Sequence, residues 1–149
     1  MFLCLDNKSL SDTIFQMEST LLFIKPDGVE RKIVGEILER LEDSGFEIVN
    51  MRMVHLTKER AEEFYSIHKE KSFFNELIRY VIGDRIVAIE LKGNNAVEKV
   101  RDLIGATDPK EAKKGTIRAS FGISKTKNTV HASDSKETAK REIKFFFGE

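Results

Sequence analysis

His131 stands in the stretch KNTVHASDS, residues 127 to 135, and is one of three histidines in the chain. A neutral imidazole keeps a lone pair near pH 7, so it can act as a nucleophile and carry a phosphoryl group as a covalent intermediate. Around it in sequence are the amide of Asn128, the hydroxyl of Ser133 and the carboxylate of Asp134. Glu142 follows two helical turns beyond the expected start of the next helix. Ser133 and Glu142 can pair behind the ring and hold its orientation and tautomer. Taken locally, a histidine before a helix start is more often structural, and no G-x-S-x-G elbow supports Ser133 as a nucleophile instead.

Phosphate chemistry needs cations or backbone donors. The chain has no GxxxxGK[ST] segment, so a backbone cradle of that type is excluded and side chains must do the work. The candidates are Lys25 at the end of the first strand, Arg101 on a helix and Arg118 after KKGT. Each alone reads as a solvated surface charge. Their meaning depends on whether the fold brings them to His131.

The elements that must do this follow from apolar spacing. STLLFIK (19 to 25) is a strand, PDG a turn, and Ile33, Val34, Ile37, Leu38 and Leu41 recur at helical spacing until Gly45 caps. FEIVNMRMVHL (46 to 56) reads as a strand whose alternation shifts between Ile48 and Val49, the mark of a bulge, with His55 a strand residue. Thr57 caps a helix through about His68, and SFFNELIRYVIG forms another ending at Gly83. RIVAIELKG (85 to 93) is a buried strand, and Asn94 caps a helix to Gly105. Residues 105 to 116 form a long surface loop suited to a binding or contact role. TIRASFGI and TVHAS are strand-like, and Asp134 with Glu137 has capping-box spacing for a helix reaching FFF at 145 to 147.

This order predicts an α+β fold, a ferredoxin-like split β-α-β sandwich with a four-stranded antiparallel sheet and helices on its faces. At 149 residues the chain has the size of one domain. Residues 1 to 16 break the pattern and are assigned as an N-terminal extension to a domain spanning 17 to 149. Lys+Arg and Asp+Glu are both 25, so net charge gives no case for non-specific binding to nucleic acid or anionic lipid. MFLCL is too short for a signal segment, no run approaches the length of a membrane span, and the single cysteine, Cys4, suits a reducing compartment. A cytoplasmic location is expected.

FIKPDGVER (23 to 31), FYSIHKEKSFF (64 to 74), GATDP (105 to 109), KGTIR (114 to 118) and NTVHASDS (128 to 135) together resemble the nucleoside diphosphate kinase family, over the chain from about Ser19 onward. The resemblance implies transfer of the γ-phosphate of ATP or another nucleoside triphosphate to a nucleoside diphosphate by a ping-pong mechanism through a phosphohistidine. His131 matches the nucleophile. Magnesium would be carried on the nucleotide phosphates, with no direct protein ligand. Lys25, Tyr65, Phe73, Arg101, Thr107, Arg118 and Asn128 fall where the family contacts nucleotide, and Ser133 with Glu142 match its supporting pair.

On that resemblance Arg101, Arg118 and Thr107 hold the terminal phosphates. Lys25 and Asn128 meet the ribose hydroxyls, Tyr65 sits beside the phosphates, and Phe73 stacks on the base through a π-face that every base shares. Base discrimination is then expected to be slight. The family also implies a homo-oligomer, a hexamer or a tetramer built from a common dimer, with no membrane or specific nucleic-acid partner. Ser72, Lys114, Ser120 and Lys125 depart from the family's usual residues, Lys125 standing where an aliphatic side chain commonly faces the base.

Overall fold

A computed structural model describes residues 17–148, so Cys4 and the extension assigned to 1–16 lie outside the described residues. Four strands, β1 (Met17–Ile24), β2 (Glu47–Val54), β3 (Ile86–Asn94) and β4 (Val130–Ala132), form one sheet in the order β2-β3-β1-β4. Every neighbouring pair is antiparallel. The helices are α1 (Pro26–Glu30), α2 (Val34–Asp43), α3 (Lys58–Phe64), α4 (Phe74–Val81), α5 (Ala96–Ile104), α6 (Ile117–Phe121) and α7 (Lys136–Phe147).

The central position of β1 explains its continuous apolar run, because side chains alternate between two covered faces. Leu22 and Ile24 join Ile37, Leu41, Val100 and Ile104 in a mainly aliphatic cluster on one face. Leu21 and Phe23 join Phe64, Phe74, Ile78 and Phe146 in an aromatic-rich cluster on the other. The expected sandwich is therefore present, with helices on both faces. The bulge in β2 also falls where the alternation breaks, between Ile48 and Asn50.

Gly45 ends α2 with φ +93, its amide donating to the Glu42 carbonyl at 3.0 Å and that of Phe46 to Leu41 at 3.3 Å. This paired closure needs the left-handed conformation that glycine adopts without a steric penalty. Thr57 caps α3 as expected, its hydroxyl accepting from the Arg60 amide.

Four expectations are corrected. Residues 117–121 form α6, not a strand, because the Thr116 hydroxyl accepts from the Ala119 amide and starts a helical turn. The helix expected through His68 ends at Phe64 and gives way to a tight 3-10 turn, Ser66–His68. Asn94 is the last residue of β3, and Asn95 precedes α5 without a side-chain cap; the Glu18 carboxylate accepts from the Val97 amide at 2.9 Å instead. The capping box of α7 lies one residue later than expected, between Ser135 and Thr138.

That register is testable. Ser135→Ala removes the acceptor for the Thr138 amide and is expected to lower stability by about 1 kcal/mol. Glu137→Ala, the partner in the expected register, is expected to change it by less than about 0.5 kcal/mol. Urea denaturation at fixed protein concentration measures both.

Candidate active site

The ladder between β1 and β4 places Phe23 opposite His131. The imidazole stacks on the Phe23 ring at 4.8 Å between centroids and meets the edge of Phe64 at 5.3 Å. Such aromatic pairs contribute roughly 0.5–1.5 kcal/mol beyond the area they bury, so the ring is fixed on its apolar side. Its polar side is fixed by α7. Glu142 Oε1 accepts from His131 Nε2 at 2.9 Å and from the Ser133 hydroxyl at 2.7 Å. With the proton on Nε2 engaged by the carboxylate, the lone pair lies on Nδ1.

His131 lines a cleft of about 620 Å3. Lys25, Tyr65, Phe73, Arg101, Thr107, Arg118, Asn128 and Glu142 line it too, so residues from widely separated segments converge on one space. Ser133 is buried behind Glu142 and does not line the cleft. Phe73 is 44% exposed while Phe74 is buried, as neighbours about 100° apart on a helical turn must be.

The cations are held by neutral oxygens. Arg118 donates to the carbonyls of Gly105 at 3.0 Å and Val130 at 2.9 Å, and Arg101 donates to Ala132 at 3.2 Å. Lys25 donates to Asn128 Oδ1 at 2.8 Å and to the Thr126 carbonyl at 3.2 Å, and the Asn128 amide donates to Thr107 at 2.9 Å. Burial, reinforced by the Arg118 charge and opposed by Asp27, pulls the Lys25 ammonium down to about 7. Burial and the neighbouring Arg101 charge lower Arg118 to about 10. Tyr65 is raised by burial and by Glu142, so its phenol stays protonated, and its buried hydroxyl has no hydrogen-bond partner among the described residues.

Gly105 shapes the cleft beside Arg118. Its φ is +89, and a Cβ there would lie 2.5 Å from Thr116 Oγ1. A side chain would displace both the residue that caps α6 and the carbonyl that holds Arg118.

Sequence reasoning missed two features. His68 lines the cleft with a buried Nδ1 that has no partner among the described residues, and burial, Lys71 and His131 disfavour its charged form while Asp134 favours it. Its signal is its place inside FYSIHKEKSFF, where apolar spacing marks it only as a helix end. The second is the buried Asp27, which accepts from the Tyr80 hydroxyl and, at 3.0 Å, from the Thr129 hydroxyl. Thr129 has φ +79, and the Val130 amide donates to Asn128 at 2.9 Å, a strained γ-turn just before the β4 strand. Asp27 clamps that turn.

The sequence model of the family described as nucleoside diphosphate kinase matches residues 18–149. A nucleoside diphosphate kinase from Campylobacter jejuni subsp. jejuni is 53% identical over 131 residues, covering 88% of this chain and 96% of that protein. One from a Nitratiruptor species is 50% identical over 133 residues, covering 89% and 97%. A crystal structure of the Aquifex aeolicus enzyme superposes with a TM-score of 0.86 at 45% identity, covering 88% of this chain and 95% of that one. The chain belongs to the nucleoside diphosphate kinase family.

The electrostatics predict a proton linkage. At pH 8 Lys25 is mostly neutral, and a polyphosphate placed beside it would favour the ammonium, so binding in the cleft would take up a proton and weaken as pH rises above about 7. Calorimetric titration of ADP at pH 8 in buffers of differing ionisation enthalpy should show uptake of a substantial fraction of ~1 proton per site. Lys25→Met should abolish it.

Proposed function

We propose that this member of the family moves the γ-phosphate of ATP or another nucleoside triphosphate to a nucleoside diphosphate in two half-reactions through a phosphohistidine on His131. The observation that carries this reading is the shared Glu142 oxygen, which engages Nε2 and leaves the Nδ1 lone pair available beside the cations of the cleft.

In the first half-reaction Nδ1 attacks the γ-phosphorus. The P–N bond forms as the bond to the β,γ-bridging oxygen breaks, and the electron pair leaves on the nucleoside diphosphate. Positive charge developing on the ring is stabilised by Glu142 through Nε2–H, and Ser133 holds that carboxylate in place. In the second half-reaction a terminal phosphate oxygen of the acceptor attacks the phosphorus, and the P–N electron pair returns to Nδ1.

Arg101, Arg118 and Thr107 take the phosphate oxygens, Lys25 and Asn128 the ribose hydroxyls, and Phe73 the base. Lys25 also reaches the transferring group, and Tyr65 directs its hydroxyl beside His131. Phosphoryl transfer requires positioning and charge stabilisation above all, and these groups supply both.

Among the described residues no cluster of three His, Cys, Asp or Glu side chains could hold a metal ion. The donor set of the cleft, cationic toward phosphate, fits magnesium carried on the nucleotide. When bound there, the ion neutralises phosphate charge and orients the phosphate oxygens. Among the described residues no helix is long and apolar enough to cross a membrane. We place the reaction in the cytoplasm, consistent with the single cysteine.

Assembly into a hexamer or tetramer is part of the same reading. The edge strand β2 exposes Val49, Met51 and Met53 at 41%, 50% and 50%, an alternating apolar row suited to burial against a second copy. Sedimentation should give a mass of four or six chains. Paired Met51→Lys and Met53→Lys should reduce it, and a monomeric parent protein would remove the proposal.

Incubation with γ-labelled ATP should leave acid-labile, alkali-stable phosphate on the protein and none on His131→Ala. Glu142→Gln replaces the charged acceptor with a neutral one and is expected to slow phosphoenzyme formation by about 10- to 100-fold. Equal labelling of His131→Ala would exclude this nucleophile.

A further inference from the structure

Beyond the phosphate end, the mouth of the cleft combines apolar surface with opposite charges. Phe73 and Ile67 are exposed there, and Glu76 of α4 and Lys125 line the same cavity. Neither Glu76 nor Lys125 enters an ion pair among the described residues.

The backbone that presents Lys125 is well tied down. The amides of Ile123 and Ser124 donate to the Lys127 carbonyl at 2.8 and 3.2 Å, and the Lys127 amide donates to Ser124 Oγ at 3.0 Å. The preceding carbonyl, that of Thr126, accepts from the buried Lys25 ammonium. Lys125 thus sits at the tip of a turn fixed to the network that places Asn128. Glu76 is fixed by the first turn of α4, whose opposite face is anchored by Phe74 and Ile78 in the core.

Bases stacked on Phe73 share a π-face but differ along their edges. Guanine offers acceptors at O6 and N7, whereas adenine has an amino donor where guanine has O6. An ammonium at that edge therefore gains two acceptors from guanine, but from adenine only N7, beside an opposing N–H donor. Guanine also presents N1–H and N2–H side by side, a pair that a carboxylate accepts together, whereas N1 of adenine is itself an acceptor. The lysine methylenes can cover the base while its ammonium reaches the edge.

We infer that Lys125 and Glu76 are specificity-determining residues that make guanine the preferred base of this site. Lys125 donates to O6 and N7, and Glu76 accepts from N1–H and N2–H. This rests on the phosphohistidine reading above and departs from the slight discrimination expected of Phe73 alone. Because both side chains are exposed, the preference is modest, about tenfold, the lower end for paired contacts to a base edge.

The test is rapid-quench phosphoenzyme formation from γ-labelled GTP, ITP and ATP by the full chain and by Lys125→Met and Glu76→Gln. The second-order constant for GTP should exceed that for ATP about tenfold, with ITP between them because hypoxanthine lacks only the N2 amino group. Lys125→Met should lower the GTP/ATP ratio, and Glu76→Gln should remove the GTP/ITP difference. The GDP/ADP ratio of dissociation constants on His131→Ala should show the same preference without the chemical step.

Equal constants for GTP and ATP, or a ratio that neither substitution moves, overturns the base assignment and leaves the phosphohistidine intact. An unlabelled protein with all three nucleotides overturns the underlying reading. In that case equal GDP and ADP affinities on His131→Ala overturn the base preference separately.

Discussion

The antiparallel pairing of β4 with β1 sets the position of the imidazole against the groups that surround it. β4 is only three residues long, and Phe23 faces His131 across the ladder. A slip of one residue would turn His131 toward the aliphatic cluster and bring a neighbouring residue over Phe23, because strand side chains alternate. Contacts beyond the strand oppose that slip. The Lys25 amide donates to Thr129 at 2.8 Å, the Ser133 amide donates to Leu21 at 3.0 Å, and Asp27 holds the Thr129 hydroxyl. The strained turn at Thr129 therefore ends the ladder at a fixed register and aims Asn128 at Lys25 in the same step.

With register fixed, the cleft gathers Lys25, Arg101 and Arg118, none of which enters an ion pair among the described residues. Arg101 and Arg118 are held by backbone carbonyls, and Lys25 by an amide and a carbonyl. These acceptors orient the cations and leave their charge in place. Asp27, a buried carboxylate beside Lys25, accepts from Tyr80 and Thr129, and its attraction only partly offsets the burial and Arg118 effects on Lys25. Crowded, desolvated cations disfavour their own protonation, so an entering polyanion gains both direct attraction and relief of that mutual repulsion.

Much of this is legible in the sequence, for reasons that vary by residue. The apolar runs of β1 and β3 announce strands covered on two faces, and the shift at Ile48 announces the bulge. Residues 117–121 read as a strand because Ile117 and Phe121 lie four apart, a spacing that fits one helical turn and also alternate positions of a strand. Asp134 and Ser135 are both good caps, so composition alone leaves the start of α7 ambiguous by one residue. His131 is a weak local signal, and only the motifs in distant segments single it out. The Asp27 clamp has no local signal, because Tyr80 is 53 residues away.

The placement of Glu142 shows how the fold supports a carboxylate in an aromatic surrounding. Ala139, Glu142 and Phe146 share the buried stripe of α7, so the packing that anchors this helix also carries the carboxylate inward. Burying it without partners would be costly, but His131 and Ser133 both donate to the same oxygen. The low local polarity from Phe23, Phe64 and Phe146 strengthens those hydrogen bonds by limiting competition from water. In the proposed attack, cationic character developing on the imidazole would be felt by Glu142 through a bond already in place. The aromatic cluster is thus both the core of one face of the sheet and the low-polarity surrounding of the His131–Glu142 pair.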